Sequence, residues 1–191
     1  MNVYDFDKTI YDGDSTVDFV LYCLKRQPSL IRFFPGTGIG FLRYAMKRWT
    51  KTQAKEHLYR MFRGIPDVEN LLADFWKVHK KKIKPWYFEL QQEDDVVITA
   101  SPVFTVAPIC EEIGIRTCMG SNVDPHTGKY SGANCDNAEK VRRFYERFPD
   151  GEVDEFYSDS LIDTPLAKIA KHAFLVKGDD LLPWPEDSLK G

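Results

Sequence analysis

The sequence predicts an α/β fold, a parallel sheet whose first two strands are separated by a long helical insertion. Three observations support this. Residues 2–6 and 95–99 are short, apolar and rich in β-branched or aromatic side chains, and each run ends in residues able to do chemistry. Between them, residues 15–93 carry apolar side chains at helical spacing. Beyond residue 99, strand-like and helix-like patterns alternate, as in a sheet covered on both faces.

Each element follows from local pattern. Val17, Val20, Leu21 and Leu24 share one helical face, as do Ala54, Leu58 and Met61, and then Leu71, Phe75 and Val78. Asp67, after Pro66, suits the start of that last helix. An all-helical stretch of this length exceeds a simple crossover and reads as an inserted cap. The expected division is a catalytic core of residues 1–14 and 94–191, with a helical cap over 15–93. After the strand at 95–99, a helix should run to Ile113 and end at Gly114. A strand follows at 115–119. Residues 122–134 contain Asp124-Pro125-His126-Thr127-Gly128, a turn signal for a β-hairpin. Val141, Phe144, Tyr145 and Phe148 mark one face of a further helix. Strands at 155–158 and 173–176 should bracket a helix at about 165–171.

Composition narrows the class. A hydrophobic content of 43% with 29% charged residues describes a globular chain with enough apolar material for a core. Cys23, Cys110, Cys118 and Cys135 form no CxxC pair and no zinc-ligand spacing, so reduced thiols are expected. No signal peptide is visible. The apolar stretch 33–42 is too short to span a bilayer and is interrupted by Pro35, Gly36, Gly38 and Gly40. The expected location is cytoplasmic. The net charge of −3 hides an asymmetry: residues 15–93 hold 15 Lys+Arg against 7 Asp+Glu, and the remainder 11 against 22.

Four motifs carry chemistry. In Asp5-Phe6-Asp7-Lys8-Thr9, two carboxylates just past a strand can address one ligand, one attacking phosphorus while the other protonates the leaving oxygen. Thr99, Ala100 and Ser101 end the second strand with hydroxyl and backbone N–H groups suited to phosphate oxygens. Lys140, at the start of a helix, can pair with a phosphate and with the nucleophile. Asp159 and Asp163, four apart after a strand, suit a Mg²⁺ site that keeps several waters. Taken singly, each has an ordinary explanation as a strand terminus, a surface charge or a helix cap. Their order along one chain is what makes the set specific.

This ordered set resembles the haloacid dehalogenase (HAD) superfamily, in the branch containing the phosphoserine phosphatases. The resemblance implies a Rossmann-like core with a C1-type helical cap and Mg²⁺-dependent phosphomonoester hydrolysis. It implies Asp5 as nucleophile and metal ligand, and Asp7 as general acid/base lending a backbone carbonyl to the metal. Thr9 would brace the loop at the substrate, Thr99 and Lys140 would hold phosphate, and Asp159 would ligate the metal. Asp163 would support the metal shell or orient Lys140. Asp14 stands where phosphoserine phosphatases carry a substrate-binding glutamate, and it also suits a helix cap.

A second resemblance is to phosphatidylglycerophosphatase C and its relatives, through Arg26-Gln27-Pro28, ITASP, CDNAEKV and YSDSLIDTPL. Residues 25–63 hold ten Lys+Arg and one acid, Glu56, interleaved with Phe33, Phe34, Tyr44 and Trp49. This mixture suits an anionic phospholipid headgroup or peripheral contact with the inner face of a membrane, without a transmembrane segment. It equally suits a solvated face over an ordinary cap. The lipid reading is the alternative to a small phosphorylated substrate, and no nucleic-acid partner is expected. Transfer of the phosphoryl group to an alcohol instead of water stays open. A non-enzymatic binding module would be expected to lack some of the carboxylates, all of which are present.

Overall fold

The computed structural model describes residues 1–190, without the side chain of Phe41. Strand β1 (Val3–Tyr4) is followed by α1 (Ser15–Arg26), α2 (Phe34–Ala45), α3 (Lys51–Tyr59), α4 (Val68–His79) and α5 (Pro85–Leu90) before the chain returns to the sheet as β2 (Val96–Pro102). Then come α6 (Val103–Glu112), β3 (Thr117–Ser121), α7 (Ala138–Arg147), β4 (Val153–Ser158), α8 (Thr164–Ala167), β5 (Ala170–Lys177), β6 (Asp180–Pro183) and α9 (Glu186–Leu189). Among the described residues the sheet order is β3-β2-β1-β4-β5-β6, parallel throughout except for β6. The expected α/β class is what the structure shows.

The period of two along each strand sorts side chains between two apolar layers. Val3, Val96, Ile98 and Phe156 face one layer with Phe144 and Leu166. Tyr4, Val97 and Tyr157 face the other, where Tyr4 stacks on Tyr157 with ring centroids 4.8 Å apart. This second layer continues without a break into the helical insertion through Trp76, Phe75 and Phe19. The Trp76 indole N–H donates to the Thr105 carbonyl at 2.8 Å, tying α4 to α6. The helical region is therefore seated on the sheet by a shared core.

Several elements differ from the sequence reading. The apolar stretch around residues 33–42 is not broken by its glycines. Pro35 sits in the first turn of α2, where its missing N–H is harmless, and the helix continues to Ala45. A Cβ at Gly40 would lie 3.1 Å from Trp49 and 3.2 Å from His57, so glycine there lets α2 and α3 approach closely. The hairpin expected over 122–134 reduces to one bridge, Val123 with Tyr130. Its turn is real: the Asp124 carboxylate accepts the N–H groups of His126 and Thr127, and Gly128 has φ +71°. A side chain at Gly128 would collide with the Tyr59 backbone, so this loop packs against the end of α3 instead of extending as strands. The helix expected at 165–171 stops at Ala167, because residues from Ala170 pair with β4. Tyr145, expected on the buried face of α7, is exposed.

Candidate active site

The site forms at the carboxyl ends of the central parallel strands, where α/β sheets place ligands. β1 is only two residues long, but it lies between β2 and β4, and the Asp5 N–H extends the pairing by donating to the Tyr157 carbonyl at 2.8 Å. That bond places Asp5 just beyond the carboxyl end of the strand. The chain then turns sharply. Phe6 O accepts the N–H of Tyr11, and Lys8 adopts φ +59°, an uncommon conformation for a residue with a side chain.

Asp5 is only 7% exposed, and its Oδ1 accepts from Lys140 Nζ at 2.6 Å. Lys140 is 1% exposed and also donates to Asp163 Oδ2 at 2.7 Å. Asp163 Oδ2 takes a second bond, from the Ser158 hydroxyl at 2.8 Å. Burial works against the Lys140 charge, yet Asp5 and Asp163 together outweigh it and hold the ammonium well above its usual range. The Asp5 pKa is raised as well, which for a carboxyl disfavours the charged form: burial raises it, and one ammonium shared between two carboxylates does not offset the loss of water.

Asp7 is held differently. Its Oδ1 accepts the Ser15 N–H at 2.6 Å, and its Oδ2 accepts the Ser101 hydroxyl at 2.5 Å. Burial, followed by the nearby Asp14, raises its pKa. The two acids of the loop thus face different partners, a cation for Asp5 and neutral donors for Asp7.

The other residues named from the sequence fall around the same cavity with one exception. Thr99, Ala100 and Ser101 line it at the end of β2, as do Asp159 and Asp163. Thr99 Oγ1 accepts the Ser101 N–H at 3.1 Å. Asp14 lines it too while capping α1, its carboxylate accepting the Val17 N–H at 2.9 Å. Thr9 is the exception. It is fully buried away from the cavity wall, and its hydroxyl accepts the Asp159 N–H at 3.0 Å, clamping the two acidic loops together. It braces the site and does not stand where it could touch a ligand. Asp163 is engaged with Lys140 and Ser158.

The donors that could hold a metal are all oxygens: the carboxylates of Asp5 and Asp159 and the backbone carbonyl of Asp7. Burial raises the pKa of Asp159 as it does that of Asp5, leaving two carboxylates short of positive charge. Among the described residues no three His, Cys, Asp or Glu side chains could enclose an ion by themselves. Such a donor set fits a hard divalent cation that keeps much of its water, as Mg²⁺ does.

Sequence reasoning missed the contribution of α3. Lys51, Lys55 and Tyr59 line the cavity together with Thr16 from α1. Their spacing of four residues, one helical face, was the available signal. Lys51 reaches across to the Asp136 carboxylate at 2.8 Å, joining α3 to the turn before α7.

Comparison with known proteins agrees with this fold. Among solved structures, the chain is similar to a protein of unknown function from Bordetella pertussis Tohama I, at 19% identity and a TM-score of 0.73, covering 92% of this chain and 88% of that one. It is similar to a phosphoserine phosphohydrolase-like protein from Francisella tularensis, at 14% identity and a TM-score of 0.59, covering 94% and 88%. A HAD family hydrolase from Salmonella enterica serovar Typhi matches at 12% identity and a TM-score of 0.57, covering 88% of this chain and 59% of that one. At these identities the likeness is one of fold. No match is found among curated proteins. The model of the haloacid dehalogenase-like hydrolases matches residues 3–168, from β1 through α8, and the chain belongs to that family.

Proposed function

We propose that the protein hydrolyses phosphate monoesters through a phospho-aspartate formed on Asp5, with Mg²⁺ as cofactor. The observation that carries this reading is the unequal holding of two carboxyls on one loop, Asp5 by an ammonium and Asp7 by neutral donors. An Asp5 oxygen attacks phosphorus while Lys140 fixes its orientation. The bond from phosphorus to the ester oxygen breaks, and that oxygen takes a proton from Asp7, a carboxyl whose pKa burial raises. Asp7 then takes a proton from water, and the hydroxide formed attacks phosphorus, releasing inorganic phosphate and restoring Asp5. Mg²⁺, when bound, supplies positive charge that offsets repulsion between an anionic phosphate and an anionic nucleophile. Transfer to an alcohol would follow the same steps with water replaced.

A panel of phosphate monoesters assayed for phosphate release, with and without Mg²⁺, tests this. Release from none of them would remove the hydrolase reading. Asp7→Asn should slow an alkyl ester by about 10²–10⁴-fold and p-nitrophenyl phosphate much less, since that leaving group needs no proton. The wild-type rate on the alkyl ester should fall as pH rises through the Asp7 pKa, and the variant should lose that limb. Equal losses on both esters would mean that Asp7 is not the acid. Asp159→Ala should raise the Mg²⁺ concentration needed for half-maximal rate more than Asp163→Ala does, because Asp163 is already engaged by Lys140 and Ser158. The opposite order would exchange their roles.

A second reading, an anionic phospholipid phosphate as substrate, rests on α2. Tyr44 lines the cavity, while Ile39 and Leu42 are 53% and 60% exposed, with Arg43 and Lys47 following them. An apolar and basic helix at the cavity mouth suits a lipid surface. No helix among the described residues is long and apolar enough to cross a membrane. Including phosphatidylglycerophosphate vesicles in the panel separates this reading from a soluble ester.

A further inference from the structure

Lys84 is a buried cation that the proposed chemistry does not use. It is 4% exposed, sits at the N-cap of α5 and does not line the cavity. Its backbone N–H donates to the Ile10 carbonyl at 2.8 Å, so the main chain itself sets it beside the nucleophile loop. Its ammonium donates to the Lys8 carbonyl at 2.9 Å and to the Gly178 carbonyl. Burial pulls the Lys84 pKa down, while Asp179, Asp12 and Asp159 act in the opposite direction. Burying a charge is costly, and here two carbonyl dipoles take the place of a paired carboxylate.

Both carbonyls belong to residues in the left-handed region, Lys8 with φ +59° and Gly178 with φ +61°. Glycine adopts that conformation freely, whereas a lysine does so at a cost. The two loops meet again at Asp159. Thr9, the residue after Lys8, accepts the Asp159 N–H on its hydroxyl at 3.0 Å. Lys177, the residue before Gly178, donates its ammonium to the Asp159 carbonyl at 3.3 Å. These contacts close a ring. Lys84 joins the two loops at one end, and the backbone of Asp159 is held between them at the other, with its side chain at the cavity.

We propose that Lys84 is a positioning residue for Asp159: by tying the Lys8 and Gly178 carbonyls together, it fixes the backbone from which the metal-binding carboxylate projects. This rests on the reading of Asp159 as a ligand of a divalent cation. No bond is made or broken at Lys84. Without its ammonium the two carbonyls lose their common donor, and Asp159 approaches the ion from a less fixed position.

The ion alone tests this, without turnover. Mn²⁺ suits the same oxygen donors as Mg²⁺, and its free form is counted by electron paramagnetic resonance during a titration. Lys84→Met keeps the aliphatic stem and removes the ammonium. It should weaken Mn²⁺ binding about fivefold or more, somewhat less than the loss typical of a group bonded directly to a metal ligand. Lys84→Gln keeps one amide donor but cannot hold both carbonyls, and should weaken binding about threefold or more. It serves as the second variant if Lys84→Met folds poorly. The Mg²⁺ concentration for half-maximal hydrolysis of p-nitrophenyl phosphate should rise in parallel. KM for that ester at saturating Mg²⁺ should stay within about twofold of wild type, since the ester's own contacts are untouched. A lowered melting temperature with Mn²⁺ affinity unchanged in the folded variants would make Lys84 purely structural and overturns the proposal. That result leaves the metal reading of Asp159 standing. If wild type itself binds no Mn²⁺, the metal reading fails and the proposal falls with it.

Discussion

Asp5→Asn should lower turnover of any phosphate monoester by on the order of 10⁴-fold or more while leaving the fold intact. The amide has nearly the shape of the carboxylate but is a poor nucleophile and a poor ligand for a hard cation. Lys140 keeps Asp163 as a partner, so the buried cation is not orphaned. The check is a rate measurement on the purified variant, its substitution confirmed by mass spectrometry, beside a melting curve. A variant that retains several percent of the wild-type rate would exclude Asp5 as the nucleophile. Trapping the phosphorylated intermediate should succeed in wild type and fail in the variant.

The second large effect is on stability. Lys140→Met removes the single ammonium between Asp5 and Asp163 and leaves two buried carboxylates without it. Breaking a buried ion pair from one side costs about 3–5 kcal/mol. For a chain of this size that lowers the melting temperature by roughly 6–20 °C. The loss should depend on pH in a definite direction. Burial already raises the folded-state Asp5 pKa above its unfolded value, and losing the lysine removes the charge that opposes this. Its protonated form therefore favours the fold below the ordinary aspartate range, and that contribution is lost as pH rises through the raised value. The gap between wild type and variant should be smaller near pH 5 than near pH 8. A gap independent of pH would mean that lost packing, and not stranded charge, is the cause.

Lys140 also shows what the sequence could convey. Its type and place, opening a helix after a turn, suggested a partner for the nucleophile. Asp5, Asp7, Asp159 and Asp163 were likewise legible, because carboxylates at the ends of apolar strands are few and their order is specific. Lys55 and Tyr59 were not. On one face of a basic helix they look like any solvated stripe, and only the seating of α3 against residues 100 and 134 turns that stripe inward. The same limit explains the fold errors. Residues 170–172 have no strong strand pattern and become β5 through pairing with β4. The β6 strand, four residues beside the turn at Gly178, is too short to show a period. Gly36, Gly38 and Gly40 suggested a break in what is a helix, because the sequence does not show that Gly40 admits Trp49 and His57.

The position of β1 has a consequence for the order in which the protein is made. This strand lies between neighbours that begin at Val96 and Val153, so both of its partners are synthesised long after it. Once residues 96–102 leave the ribosome, β1 has one neighbour and an open edge. Edges of this kind invite pairing with other chains until they are covered. The edge stays open while α6, β3 and α7 emerge, and closes only when residues 153–158 arrive. Asp5 depends on that closure, since its backbone is locked by Tyr157 and its carboxylate by a lysine made only shortly before. Asp5 is encoded near the beginning of the sheet's sequence and is placed near the end of its synthesis. Under the proposed function, a nascent chain would gain its nucleophile only when its sheet is nearly complete.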